Sequence, residues 1–211
     1  MKHTFPLLVL IVTPSLAFAQ GTVVFQNLTG LVRELVLPPP SLGVISVPKG
    51  DAMVDLITAA HGTALPNPLG TYWPDGFHLG PNTTLTSFLA ANPGWHSEAV
   101  GGVNSANGIF NNGSVSLTGI PGGASADYFI IGWTGTSPSL DTAIANDAWI
   151  GESAIFTTLT GDPTTTPPGL PINLRATFTG VTLYPVIIPE PSIFALFALG
   201  AVTLLLFRRP G

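Results

Sequence analysis

The segment that most restricts the fold is 127–133, Asp-Tyr-Phe-Ile-Ile-Gly-Trp. Side chains along a strand point alternately to opposite faces, and here both faces carry large apolar groups. Such a strand is stable only in the centre of a sheet with a layer on each side. The rest of the chain must therefore supply two covers. Its many Gly, Pro, Ser, Thr and Asn residues suit short strands joined by turns.

Further strands are expected at 22–25 and 31–37, separated by the turn Asn27-Leu28-Thr29-Gly30. Pro38-Pro39-Pro40 ends the second, because proline lacks the donor a ladder needs. Ser114-Val115-Ser116-Leu117-Thr118 alternates polar and apolar, as a strand with one wet face does. The same alternation over 173–179 predicts a strand with Leu174, Ala176 and Phe178 inward. Segments 51–60 and 141–148 are read as helices, each behind an Asp cap. Residues 82–112, rich in Gly and Asn, are expected to form a long loop or paired irregular strands. Residues 162–171, with their prolines and threonines, read as an extended connection. There is no internal repeat. Several short strands, frequent turns and few helices predict an all-β fold, a single jelly-roll-like β-sandwich over residues 20–188.

That domain has to be held by packing alone, because the chain has no cysteine, and it has no thiol to act as nucleophile or metal ligand. Its cations are Arg33, Lys49 and Arg175, whereas all of the 11 acidic side chains except Glu190 fall within it. A surface so short of positive charge excludes nucleic acid as a partner.

The two ends are of a different kind. Met1-Lys2-His3, an apolar stretch over 5–16 broken by Pro6 and Pro14, and Ala17-Phe18-Ala19 form the three-part pattern of a secretory signal peptide. Ala17 and Ala19 supply the small residues a signal peptidase requires. Residues 1–19 are thus expected to be a signal peptide helix, with Gln20 first in the mature chain. At the other end, Pro189-Glu190-Pro191-Ser192 precedes an uncharged apolar run, 193–207, and then Arg208-Arg209. At ~1.5 Å per residue the run reaches about 22 Å as a helix, short of the ~30 Å core of a bilayer. It reads as a marginal transmembrane anchor, with Arg208 and Arg209 as the cytoplasmic stop.

In that order and place, the Pro-Glu-Pro-Ser motif, the apolar run and the paired arginines resemble the PEP-CTERM sorting signal of Gram-negative bacteria, which a membrane-embedded exosortase recognises. The body of the chain is similar to one group of PEP-CTERM proteins. Gly21-Thr22-Val23-Val24-Phe25 matches their opening Gly-Thr-Val-X-Phe strand, 128–133 their late apolar strand, and Gly151-Glu152-Ser153 their Gly-X-Ser step. A Pro-rich linker and a final strand then lead into the sorting signal, 189–211. Residues 61–112 fit no pattern of the group. The resemblance implies processing by signal peptidase and exosortase, with the membrane holding the tail in between. It also implies residence in the cell envelope, at the cell surface or in the extracellular matrix, in the company of exopolysaccharide. It implies no chemistry.

The residues themselves offer little. Gly151-Glu152-Ser153-Ala154 has the start of a hydrolase nucleophile elbow, Gly-X-Ser-X-Gly, but residue 155 is Ile. That fold places its base after the nucleophile, and no histidine follows His96. His61, His78 and His96, with Asp75 near the second, lack the spacing of a local chelate. Asp51 with Asp55, and Asp141 with Asp147, lack the Asp/Asn-Gly density of a calcium loop. No metal and no cofactor is expected. Tyr72-Trp73-Pro74-Asp75-Gly76-Phe77 is an aromatic turn that, with Trp95, would offer flat faces with polar edges to a sugar ring. The competing reading has Trp73 and Phe77 plugging one end of the domain. Asn27-Leu28-Thr29, Asn82-Thr83-Thr84 and Asn112-Gly113-Ser114 match glycosylation sequons and read as turns.

The expectation is an exported, envelope-anchored or matrix protein, a structural or surface component and not an enzyme. An alternative is a carbohydrate-binding or adhesive module using Tyr72, Trp73 and Trp95. A third is a hydrolase working with two carboxylates.

Overall fold

A computed structural model describes residues 19–28, 30–36, 43–65, 67–73, 76–80 and 84–187. The expected signal peptide up to Phe18, the expected sorting motif and the apolar run 193–207 lie outside the described residues. Among the described residues no helix is long and apolar enough to cross a membrane.

In chain order the strands begin with β1 (Gln20–Gln26), β2 (Val32–Val36), β3 (Gly43–Ser46), β4 (Ala52–Ala60), β5 (Gly70–Trp73) and β6 (Gly76–Leu79). Helix α1 (Leu85–Ala91) follows, then β7 (Trp95–Gly102), β8 (Asn111–Pro121) and β9 (Ser125–Thr134). Helix α2 (Leu140–Ala145) leads to β10 (Ile150–Glu152), β11 (Phe156–Leu159), β12 (Ile172–Asn173), β13 (Val181–Leu183) and β14 (Val186–Ile187). Strands hold 50% and helices 11% of the described residues, so the all-β class stands.

The apolar run lies in β9, at the centre of a sheet ordered β10-β9-β4-β7, with β11 also paired to β9. Only the two end residues of β9 escape full burial. Ala126, Tyr128 and Ile130 on one face share a cluster with Val54 and Leu56 of β4, Val23 and Phe25 of β1, and Leu117 and Ile120 of β8. That cover is a second sheet, ordered β12-β1-β8. Phe129, Ile131 and Trp133 on the other face pack with Trp95, with Phe88 of α1, with Leu140 and Ala143 of α2, and with Phe77 and Leu79 of β6. The second cover is two short helices and a hairpin. Two small sheets, β13-β2-β3 and β14-β6-β5, complete the described body. In each of the three outer sheets a late strand returns parallel to an early one: β12 to β1, β13 to β2, β14 to β6.

Strands expected at 22–25 and 114–118 lie within β1 and β8, and the one expected at 31–37 contains β2. Other expectations are corrected. The helix expected at 51–60 is strand β4. Over 52–60 only Asp55 and Thr58 interrupt the apolar residues, too few to fix a period that separates helix from strand. Pairing with β9 on one edge and β7 on the other decides the matter. Residues 82–112, expected as a long loop or paired irregular strands, do hold the paired strand β7, but α1 was not expected there. A capping box opens α1, with Thr84 and Ser87 each bonding the other's backbone. The helix expected at 141–148 is capped by Ser139, which accepts from Thr142 N at 3.2 Å. Asp141 instead accepts Leu85 N at 2.6 Å and so ties α2 to the start of α1. The strand expected at 173–179 is cut short. Asn173 caps a turn of 3-10 helix, Leu174–Ala176, by accepting Arg175 N at 3.0 Å. Leu174 and Phe178 are buried as expected, but Ala176 is exposed, because the turn replaces the alternation of a strand. Residues 162–171 form no strand or helix, as expected.

Candidate functional site

The polar groups of this body gather around the central sheet, and they are best taken strand by strand. Opposite residues of antiparallel strands point to the same face. Asp55 of β4 faces Ile131 of β9, and Ile131 faces Glu152 of β10. The two carboxylates therefore flank one isoleucine on the helix-covered face, about 10 Å apart at their backbones given ~4.8 Å between strands. Asp55 is 0% exposed. Burial pushes its carboxyl up to about 7, against the opposing bond from Ser97 and with a further push from Glu98. Ser97 Oγ lies 2.9 Å from both Asp55 oxygens. Burial likewise raises Glu152 to about 7. Such a pair can store protons near neutrality, but Asp55 is closed to any substrate by its own core.

The opposite behaviour is seen at Asp127, two residues before Phe129 on the same face. Its burial favours the neutral acid, but this is outweighed by bonds from Thr157 Oγ1 at 2.6 Å, His61 Nδ1 at 2.8 Å and Gly62 N at 2.8 Å, together with the attraction of His61. The carboxyl is held below its ordinary range. His61 is 60% exposed in its side chain and stands at the turn after β4, with one ring nitrogen engaged by Asp127. This is an oriented imidazole, but no serine or threonine hydroxyl is bonded to its second nitrogen among the described residues. His78 lies in β6 and His96 in β7. Among the described residues no group of three or more His, Asp or Glu side chains is placed to hold a metal ion.

Other polar groups are engaged by the fold itself. Ser153 Oγ accepts Ile130 N at 3.0 Å and donates to Ala154 O at 2.9 Å, so the Gly-X-Ser step locks β10's end onto β9. Glu98 receives Thr58 Oγ1, Thr118 N and Thr118 Oγ1, and so bridges the two large sheets at their edge. Asn27, expected in an ordinary turn, is 1% exposed. It donates to Gly30 O and Gly108 O and accepts Phe110 N at 2.7 Å, clamping the β1–β2 turn to the turn that leads into β8.

The aromatic candidates divide. Trp95 is corrected: it is 2% exposed, its ring lies 5.2 Å from Phe129, and its Nε1 donates to Ala64 O at 3.0 Å. A buried ring satisfied in this way has no face for a sugar. Tyr72 and Trp73 pair in β5 with Phe77 and Gly76 of β6, and their side chains lie outside the described residues. Phe77 is buried, as the plug reading expected. Of the residues expected in processing, Gln20 opens β1 with Ala19 just before it, while Ala17, Pro189, Glu190, Pro191, Ser192, Arg208 and Arg209 lie outside the described residues.

Sequence reasoning missed Asp55 as a buried acid and missed the His61–Asp127–Thr157 cluster. Its partners are 66 and 30 residues from Asp127, beyond the reach of any local pattern. No family model, curated protein or solved structure matches the chain.

Proposed function

We propose that this chain is an exported structural or surface protein of a Gram-negative envelope, sorted by an exosortase and associated with exopolysaccharide. The observation that carries the reading is the tail, in which Pro189-Glu190-Pro191-Ser192, the apolar run 193–207 and Arg208-Arg209 follow in order. The position of the folded body supports it. β1 starts at Gln20, next to the expected signal peptidase cut. We read that body as a jelly-roll-like sandwich of the β12-β1-β8 sheet on the central sheet, since side chains of both enter one cluster. A structural role rather than catalysis is supported by the way Ser153, Asn27, Asp55 and Glu98 are used within the fold.

The test is Glu190→Ala in a host carrying the matching exosortase. Glu190 is the single charge of the motif. The variant should remain uncut in the inner membrane, whereas deletion of 193–211 should release the domain in soluble form. Processing of Glu190→Ala like the wild type would reduce the motif to a linker and the tail to an ordinary anchor.

A further inference from the structure

We propose that Gln20, once the leader is removed after Ala19, closes on itself to pyroglutamate and leaves the exported protein with a blocked, uncharged N-terminus. The inference rests on the leader cleavage proposed above. The α-amine nitrogen attacks Cδ of its own carboxamide. A new N–Cδ bond forms as the Cδ–Nε2 bond breaks, a proton passes from the α-nitrogen to the departing nitrogen, and ammonia leaves. The reaction needs no other reactant, and a five-membered closure of this kind gains from the proximity of its two ends.

Four observations place Gln20 where the closure can occur. Gln20 is exposed, while Gly21 beside it is buried. Gly21 lies so close to Thr160 that a Cβ there would stand 2.5 Å from the threonine's side-chain atoms. The chain is therefore clamped from Gly21 onward and free one residue earlier. Gln20 faces Pro121 of β8 as a non-hydrogen-bonded pair, whose ladder bond runs from Gly122 N to Ala19 O, so the Gln20 backbone groups are not tied to Pro121. The next registered pair is Thr22 with Ser116, after a break in register, so the sheet holds the first residue loosely. The Gln20 carboxamide makes no hydrogen bond among the described residues, so nothing holds it away from the new amine. Gln20, Gly119, Ile120 and Pro121 line an open cleft of about 240 Å³, which leaves room for the side chain to fold back.

Leader removal also takes away a restraint. The Gly122 N–H donates to the Ala19 carbonyl at 3.1 Å, and that carbonyl departs with the leader. The position of the cut matters as well. A cut one residue earlier or later would expose Ala19 or Gly21, neither of which can form the ring. The lactam would remove the one α-ammonium of the mature chain and deny aminopeptidases their substrate, a useful property in a protein that stays outside the cell.

The experiment uses the full chain, expressed with its leader and recovered from the envelope. Free amines are labelled by reductive dimethylation on the intact protein before digestion, and the N-terminal peptide is then read by mass spectrometry. Labelling first separates a ring formed in the cell from one formed during digestion. The expected peptide begins at residue 20, carries no label on its α-nitrogen, and is lighter than its Gln form by one ammonia. Gln20→Ala should begin at the same residue and be fully labelled. A wild-type peptide that begins at Gln20 and is mostly labelled overturns the ring closure and leaves the leader cleavage standing. A peptide that begins elsewhere, or still carries Met1, overturns both.

Discussion

The two faces of β9 are both buried, yet they are covered by different means. Ala126, Tyr128 and Ile130 meet strands of a second sheet, β1 and β8. Phe129, Ile131 and Trp133 meet α1, α2, β6 and Trp95. Where sheet packs on sheet, inward residues alternate with outward ones along each covering strand, and the cover can be read as period two. On the helix side the cover comes from scattered residues, and the aromatic rings carry the contact. Phe129 lies 5.9 Å from Phe88 and 5.2 Å from Trp95, ring to ring. The polar consequences differ too. The helix side encloses the carboxylate of Asp55, whereas the sheet side encloses the hydroxyl of Tyr128, which has no partner among the described residues. A strand that is apolar on both faces demands two covers but does not say which kind each will be.

The comparison can be broken most forcefully at Phe129. Phe129→Ala should cost about 3–5 kcal/mol, the range for removing a fully buried ring. Urea unfolding should remain a single transition shifted to lower denaturant. A separate early transition for the helix side would show that this cover is an appendage and not half of one core.

Next in size is the buried acid. The unfolded chain loses the Asp55 proton near pH 4, while the folded chain keeps it until about 7. Between those values the folded state binds more protons, so stability falls as pH rises and levels off above 7. Glu152 contributes with the same sign. Asp127, held below its ordinary range, contributes stability at higher pH and loses it only as pH falls through its lowered folded value, outside this window. Asp55→Asn should therefore stabilise the protein at pH 8 by about 2–4 kcal/mol and reduce the decline between pH 4 and 7. Urea midpoints at pH 5 and pH 8 for both proteins measure this. An unchanged slope would mean that the helix side holds the charge without penalty.

On the sheet side the effects should be smaller. Asn27→Ala leaves the Phe110 N–H and two carbonyls without their clamp and should cost about 1–3 kcal/mol. Loss of protection of the Phe110 amide in hydrogen exchange would locate the damage. Smallest is Tyr128→Phe. Its hydroxyl is buried and unpaired, so its removal should stabilise the protein by about 1 kcal/mol, with ring stacking on Phe156 at 5.6 Å kept. A lower denaturation midpoint would show that the hydroxyl has a partner, and the sheet side would then be as polar in its needs as the helix side.

Much of the sheet side was legible. Thr22 to Phe25 is a short β-type run and Ser114 to Thr118 alternates, and both lie in the strands that cover Ala126, Tyr128 and Ile130. The helix side was not. β4 carries Ala, Met and Leu, good helix formers, and its apolar run has no telling period. α1 did leave a trace in Thr84-Leu85-Thr86-Ser87 with Leu85, Phe88 and Leu89 at helical spacing, but a Ser stands where a capping box more often has Glu or Gln. The polar clusters left less. Ser153 stands just past β10, and its bond to Ile130 N crosses 23 positions and belongs to the fold alone.

By itself the amino-acid sequence determined that β9 is central and that the body is all-β without disulfides. These follow from properties each segment carries alone: two apolar faces, short strand-and-turn patterning and the absence of cysteine. Only the tertiary structure decided that β4 is a strand and that Trp95 is core. It also decided that Asp55 and Asp127, acids of the same kind, are pushed in opposite directions. The reason is that a carboxylate's state depends on which donors reach it, and at Asp127 those donors come from His61, Gly62 and Thr157, brought together by pairing between β9, β4 and β11.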